Sequence, residues 1–342
     1  MAGKDAVKRF NSQLAGQERN PRYVALALLR ESTTSRIYRC VHQYVQLEVA
    51  IKEYLVNEEA TIKGQPECAP PDLRHTAKFE HCADLYDSIT LRVCNDTPYF
   101  IDPERRPLAS SCRSRNEQIR TAARAEARVL MSITHPHLIR ALDYFEIGQR
   151  AYVVTEFLRG MDLAQWLSEV ERSFCQLPDT NIVIDLGYAL LDVLQNLHSQ
   201  EVTHCDVKPA NVILDRSKRR PVLLDLGNAI TESSKPASAS AGYAPPELYR
   251  LAPENPIGPW SDLYMLSALL YRMVTAQFRP PLVATDRWQA IQAGHGDPLL
   301  PARIAARPGF TPELLLAIDS GLELDWIKRP QSVEEYTALL AR

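Results

Sequence analysis

Between His204 and Asn211 the chain places a carboxylate, an ammonium and a carboxamide within six positions: Asp206, Lys208 and Asn211. Transfer of a phosphoryl group asks for that set. It needs a carboxylate beside the accepting hydroxyl, a cation beside the moving phosphate, and an oxygen ligand for a divalent cation. A second carboxylate, Asp225, follows 19 residues after Asp206, at the end of the strand-like run Val222-Leu223-Leu224 and just before Leu226-Gly227. An Asp-x-Gly by itself marks a turn, so its weight comes from that distance to Asp206. Lys52 closes another strand-like run, Val49-Ala50-Ile51-Lys52. Glu126 has Val129 and Leu130 at i+3 and i+4, which puts all three on one helix face.

The elements that must carry these residues follow from periodicity. Tyr23 to Leu55 is rich in alternating and β-branched residues and predicts strands. Helical spacing runs from Asn116 to Ile133, with Asn116 the expected cap. Leu138 to Leu158 predicts two strands joined at Ile147–Gln149. Ile182, Leu186, Ala189, Leu190, Val193, Leu194 and Leu197 form one apolar stripe, and Leu263 to Val274 is apolar almost all round, which predicts a buried helix. Strands, helix, strands, then mostly helices is the order of an α+β chain with a small β-rich lobe before a larger helical one. The expected division is an extension over 1–20, a small lobe over 21–158 with an insertion at 58–115, and a large lobe over 159–342.

Composition bounds the classes. The chain has 342 residues, 45% of them hydrophobic, with 39 Lys and Arg against 42 Asp and Glu. A formal charge of -3 gives no global pull toward nucleic acid or an anionic membrane. No apolar run is long enough to span a bilayer, and Met1 to Asn20 lacks the apolar core of a signal peptide. Seven widely spaced cysteines fit a reduced, cytoplasmic protein.

His204-Cys205-Asp206-Val207-Lys208-Pro209-Ala210-Asn211 resembles the catalytic loop of protein kinases, and Asp225-Leu226-Gly227 resembles their D-F-G site with Leu for Phe. Four fixed residues at roughly 1 in 20 each, over about 340 starting points, recur by chance on the order of a few times in a thousand. Val49-Ala50-Ile51-Lys52 is similar to the family's V-A-I-K strand, and His135-Pro136-His137-Leu138-Ile139 to its helix-to-strand connection. Gly242-Tyr243-Ala244-Pro245-Pro246-Glu247 resembles the A-P-E segment, Ser261-Asp262-Leu263-Tyr264 the start of the buried helix, and Arg329 the late arginine that pairs with that glutamate. These last three matches favour protein kinases over small-molecule kinases of the aminoglycoside type.

The resemblance implies a two-lobed kinase fold and a site that uses ATP with Mg²⁺ (or Mn²⁺) on a protein substrate. It implies Asp206 and Lys208 as catalytic, Lys52 on the α- and β-phosphates with Glu126 as its partner, and Asn211 and Asp225 as metal ligands. It places Thr155 at the back of the nucleotide pocket, the Glu156 carbonyl and Leu158 backbone on adenine, Asp162 on ribose, and Ile37, Ala50 and Ile213 around the ring. Lys208 favours Ser/Thr over Tyr as acceptor, and the Gly-Tyr-Ala-Pro-Pro-Glu run has a bacterial flavour.

Two departures stand out. Where the family has L-G-x-G-x-x-G-x-V, this chain reads Leu29-Arg30-Glu31-Ser32-Thr33-Thr34-Ser35-Arg36-Ile37, with Arg30, Ser32 and Ser35 replacing the glycines. Hydroxyls of Ser32 and Ser35 are expected to donate to phosphate, and Arg30 either points to solvent or supplies a cation. This loss keeps two alternatives open: a pseudokinase that scaffolds partners, and a kinase-like enzyme transferring AMP. Cys205 precedes the catalytic aspartate where regulated kinases carry arginine, so activity independent of loop phosphorylation is expected, with Thr231, Ser233, Ser234, Ser238 and Ser240 read as a polar loop.

The insertion 58–115 holds six prolines and four of the seven cysteines. Its Cys68, His75, His81, Cys82, Cys94 and Cys112 lack the close Cys-x₂₋₄-Cys pair of a zinc site. Ser88 to Val93 and Pro98 to Ile101 read as a hairpin turning at Asn95-Asp96, and docking of a partner or substrate is the expected use of the segment.

Overall fold

The alternation between Tyr23 and Leu55 becomes, in the computed structural model, three consecutive antiparallel strands: β1 (Tyr23–Glu31), β2 (Ser35–His42) and β3 (Leu47–Tyr54). The described residues are 2–15, 22–32, 34–55, 90–94, 97–101, 112–173, 178–217, 220–229, 239–249, 251, 255–275 and 279–340. Residues Thr90–Cys94 (β4) and Thr97–Ile101 (β5) pair antiparallel as a hairpin; β4 starts two residues later, and β5 one residue earlier, than the pattern predicts. The remainder of the insertion expectation, including Cys68, His75, His81 and Cys82, lies outside the described residues.

The helix that carries Glu126, α2 (Cys112–Ser132), starts before Asn116. Asn116 is therefore not a cap. It is buried, and its Nδ2 donates to Gln149 Oε1 at 2.5 Å, tying the helix to the turn between β6 (Ala141–Ile147) and β7 (Arg150–Glu156). These strands complete a five-stranded sheet in the order β1-β2-β3-β7-β6.

One face of this sheet is closed by a helix that hydropathy of the first 20 residues does not suggest. Helix α1 (Ala2–Ala15) buries Phe10 and Leu14 against Tyr23, Ala25, Tyr38, Cys40, Val49, Ile51, Tyr152 and Val154. Phe10 lies 4.2 Å, centroid to centroid, from Tyr38 and meets Tyr152 edge-on at 5.8 Å. Asn11 makes the contact directional. Its Nδ2 donates to the Ala25 carbonyl (3.1 Å) and its Oδ1 accepts from the Ala25 amide (2.8 Å), at the irregularity in β1. The helix is thus built into the small lobe's core.

The large lobe is organised around α4 (Thr180–His198) and α5 (Pro259–Val274). Every residue of α5 from Ser261 to Tyr271 is buried, as its all-round apolar pattern predicts. Along α4, Val183 takes the buried place expected of Ile182, which is exposed. The preceding segment forms β8 (Gly160–Asp162) and α3 (Leu163–Ser173), and the chain after α4 forms β9 (Val212–Asp215) and β10 (Arg220–Leu223) in a three-stranded sheet, β10-β9-β8. Gly160 is required there, because a Cβ would come 2.1 Å from the Leu214 carbonyl oxygen. Two backbone bonds splice the lobes: Ile139 N to Leu223 O (2.9 Å) and Leu223 N to His137 O (2.8 Å).

Candidate active site

The sequence patterns that end β3 and begin the D-L-G turn meet at one ammonium. Lys52 Nζ lies 3.2 Å from each Glu126 carboxylate oxygen and 2.6 Å from Asp225 Oδ1, although these residues are 74 and 173 positions away. One cation is shared by two carboxylates, and their electrostatics divide accordingly. Burial would lower the Lys52 pKa, but Asp225 and Glu126 outweigh it and hold it well above the ordinary lysine value. Burial also opposes ionisation of Asp225, yet Lys52 and the Gly227 amide bring it down to about 2. Glu126, with the longer contact, is raised by burial and by the neighbouring charge of Asp225 in spite of Lys52. Tyr54 completes the cluster. Alternation puts it on the same face as Ala50 and Lys52; its hydroxyl donates to Glu126 and its ring lies 4.9 Å from Lys52 Nζ.

The His204–Asn211 loop is fixed from below by Asp262 on α5. Its carboxylate accepts the amides of His204 and Cys205, both at 2.8 Å, and contacts His198 Nε2 at 2.8 Å. Cys205 adopts φ +60, a left-handed conformation that a side chain ordinarily avoids, and the paired amide bonds hold it there. His204 accepts the Asp206 amide on Nδ1 (3.2 Å), so its Nε2 donates to the Leu224 carbonyl (3.0 Å), linking the loop to the residue before Asp225.

On this frame Asp206 becomes a hub. Its Oδ2 accepts from Asn211 Nδ2 and Lys208 Nζ, each at 2.8 Å. Its Oδ1 accepts from the hydroxyl of Ser240 at 2.7 Å, and Ser240 Oγ in turn accepts from Lys208 Nζ at 2.8 Å. Ser240, expected to belong to a polar loop, is half-buried between the two central residues of the site. Gly242 permits the turn that brings it there. It sits at φ +77, and a Cβ would meet Pro280 at 2.9 Å. Thr231, Ser233, Ser234 and Ser238 lie outside the described residues.

The donor set suits a hard cation. Asn211 spends its amide hydrogens on Asp206, at 2.9 and 2.8 Å, which leaves its Oδ1 without a protein donor among the described residues. Asp225 uses Oδ1 on Lys52 and on the Gly227 amide (3.0 Å), leaving Oδ2. Oxygen-only ligation of this kind fits Mg²⁺.

Register sets the residues expected around the nucleotide in two sheets: Ile37 opposite Lys52, Ala50 opposite Thr155 and Val49 opposite Glu156 in the five-stranded sheet, and Asp162 opposite Ile213 in the three-stranded one. Thr155 Oγ1 reaches the Ala50 carbonyl at 3.5 Å, and Leu158 is buried in the large core. Asp162 Oδ1 accepts the Gln165 amide (2.8 Å) at the start of α3. Ser32 departs from expectation. Its hydroxyl is engaged inside its own hairpin, with Ser35 Oγ at 3.1 Å.

Residues 109–302 match the protein kinase domain. The chain belongs to the protein kinase family. The match begins beyond β1–β3, where the glycines are replaced and the insertion intervenes; the Lys52 contacts tie those strands to the rest of the kinase site. The kinase is 30% identical over 223 residues to serine/threonine-protein kinase RUNKEL of Arabidopsis thaliana, covering 63% of this chain and 16% of the relative. It is 32% identical over 228 residues to serine/threonine-protein kinase pkn2 of Myxococcus xanthus, covering 63% of this chain and 26% of that one. The chain thus spans about a sixth and about a quarter of these two relatives' length. Among solved structures the kinase resembles the PpkA-294 apo form, with TM-score 0.65, 22% identity and coverage of 94% and 97% of the two chains. It also resembles the Mycobacterium tuberculosis PknI kinase domain, with TM-score 0.58, 18% identity and 94% of each chain covered. Both likenesses speak to the fold. No helix among the described residues is long and apolar enough to cross a membrane.

The buried ion pair expected in the large lobe is formed. Arg329 reaches Glu247 at 2.7 and 3.1 Å, with both side chains fully buried, and Ser261 Oγ donates to the same carboxylate at 2.7 Å. Arg329 also donates to the carbonyls of Glu323 and Leu324. This network anchors the Pro245-Pro246-Glu247 segment a few residues beyond Ser240.

Proposed function

We propose that this kinase transfers the γ-phosphate of ATP to a serine or threonine hydroxyl of a protein substrate. The observation that carries the reading is the Lys52 ammonium, held at once by Glu126 of the small lobe and Asp225 of the large one. A cation shared between the two lobes is what the phosphates of a nucleotide bound in the cleft would meet, which supports the reading. The neighbouring hub supplies the second requirement, a carboxylate beside an ammonium. The accepting hydroxyl would pass its proton to Asp206 as its oxygen bonds the γ-phosphorus. The bond from γ-phosphorus to the bridging oxygen breaks, and Lys208 offsets charge on the moving phosphoryl group. Asn211 and Asp225 are the residues that would hold Mg²⁺, which when bound neutralises phosphate charge. The serine/threonine preference rests on Lys208 and on the names of the relatives.

The test is labelled ATP. With a generic basic protein substrate and Mg²⁺, label from γ-labelled ATP should appear on serine or threonine, and label from α-labelled ATP should not. Asp206→Asn should abolish transfer and leave ATP binding nearly intact. Label from α-labelled ATP on protein would establish AMP transfer instead. ATP binding without transfer under either label would leave the scaffolding alternative.

A further inference from the structure

The tip of the β1–β2 hairpin is closed on itself. The Ser32 amide donates to the Ser35 carbonyl at 2.9 Å. The Ser32 hydroxyl accepts the amides of Ser35 (3.0 Å) and Thr34 (3.3 Å), and lies 3.1 Å from the Ser35 carbonyl as a donor. A loop that binds phosphate through its backbone needs amides pointing outward and unbonded. Here the amides of Ser32, Thr34 and Ser35 are already bonded within the turn. The hydroxyls of Ser32 and Ser35, the other groups expected to reach phosphate, lie 3.1 Å from each other and are engaged in the same turn.

Two residues before this closed tip, Arg30 crosses between the lobes. It pairs with Ile37 in the hairpin, and Ile37 pairs with Lys52, so Arg30 stands two strands over from Lys52, in register with it. Its Nη1 donates to the carbonyl of Ala210 at 3.3 Å. Ala210 sits between Lys208 and Asn211, so the guanidinium ends beside the catalytic loop. Among the described residues this neutral carbonyl is its one polar partner, and no carboxylate neutralises it.

A guanidinium presents five N–H groups in a planar fork that matches phosphate oxygens two at a time. A hydrogen bond to a charged oxygen is roughly twice as strong as one to a neutral carbonyl. Phosphate arriving in the cleft therefore outcompetes Ala210 for Arg30. We infer that phosphate recognition in this kinase has passed from the backbone amides of the hairpin to the side chain of Arg30, which binds the terminal phosphates of a nucleoside di- or triphosphate. The inference rests on the nucleotide reading of the cleft.

Equilibrium binding separates the two. Adenosine, ADP and ATP are titrated with Mg²⁺ into the full chain, as wild type, Arg30→Ala, Arg30→Lys, and Arg30→Ala with Ser32→Gly. Arg30→Ala should weaken ADP and ATP by about 10- to 150-fold, the range for losing a hydrogen bond to a charged group, and leave adenosine unchanged. Arg30→Lys should recover part of the loss, since it restores charge without the fork. Adding Ser32→Gly, which releases the Thr34 and Ser35 amides, should recover part of it by the other route. Unchanged ATP affinity in Arg30→Ala overturns the inference and leaves the kinase reading standing. Equal losses for adenosine and ATP also overturn it, because the arginine would then act on the fold of the cleft. Failure of the wild type to bind any of the three overturns both.

Discussion

Ser240 offers the sharpest test of how the site is assembled. Its hydroxyl donates to Asp206 Oδ1 at 2.7 Å and accepts from Lys208 Nζ at 2.8 Å, so it sets the spacing between the carboxylate and the ammonium to which the proposed transfer assigns the proton and the phosphate. Ser240→Ala removes one charge-assisted bond from each partner. Asp206 keeps Asn211 and Lys208 on its other oxygen, so the carboxylate stays paired but loses its orientation. A hydrogen bond to a charged group is worth about 1.5–3 kcal/mol. At 1.36 kcal/mol per factor of ten, kcat/KM should fall by about 10- to 150-fold. Ser240→Thr keeps the hydroxyl and should stay close to wild type. Ser240→Glu puts a carboxylate against Asp206 and should be at least as impaired as alanine. The assay is steady-state transfer of γ-phosphate to a basic peptide. Full activity in Ser240→Ala would refute the positioning argument. Activation by Ser240→Glu would also refute it, and would mark Ser240 as a regulatory phosphorylation site.

Other outcomes follow from the same geometry. Arg329→Met strands the Glu247 carboxylate in the core and should cost ~3–5 kcal/mol in urea unfolding; combining it with Glu247→Leu should cost less than the single change, and a larger cost would contradict the ion-pair account. Phe10→Ala, at a fully buried ring, should cost ~3–5 kcal/mol; a loss below ~1 kcal/mol would mean that α1 is dispensable to the core. Tyr54→Phe removes the hydroxyl that donates to Glu126 but keeps the ring under Lys52, and should lower kcat/KM by about tenfold; Tyr54→Ala should be worse. Folding lowers the Asp225 pKa from 3.8 to about 2, so its contribution to stability is present above the unfolded value and lost as pH falls toward 2. The stability gap between wild type and Asp225→Asn should therefore narrow on acidification through that window, and a gap independent of pH would show that Asp225 gains nothing from Lys52.

What could be read in advance depended on spacing. Asp206, Lys208 and Asn211 are close in sequence, so one loop had to present them together. Lys52 and Glu126 were legible because each sits in a patterned strand or helix whose face is set by periodicity. Tyr54 was equally open to that reasoning, two positions after Lys52 on the same strand face. Helix α1 was missed because its apolar residues are few, although Val7, Phe10 and Leu14 at i, i+3 and i+7 mark a narrow stripe. Asn11, which binds the Ala25 backbone, carries no signal in a sequence, since any exposed helical Asn looks the same. Ser240 was misjudged for a related reason. A serine in a polar stretch says nothing of the Gly242 turn that carries it into the site. In the hairpin, the presence of hydroxyls was visible but not that Ser32 would bond its own turn.

The order in which the chain is made gives α1 a further role. At about 5–20 residues per second, roughly 9–35 s separate the synthesis of Lys52 from that of Asp225, 173 positions later. For that time the shared ammonium lacks its nearer carboxylate, and the site cannot close. The sheet itself is complete once β7 ends at Glu156, and an uncovered face bearing Tyr38, Ile51 and Tyr152 would then be open to any passing chain. The cover is already present, because α1 precedes every strand of the sheet in the chain. Phe10 and Leu14 can seal that face while the large lobe is still on the ribosome, so the small lobe can wait, closed on one side, for the half that completes its site.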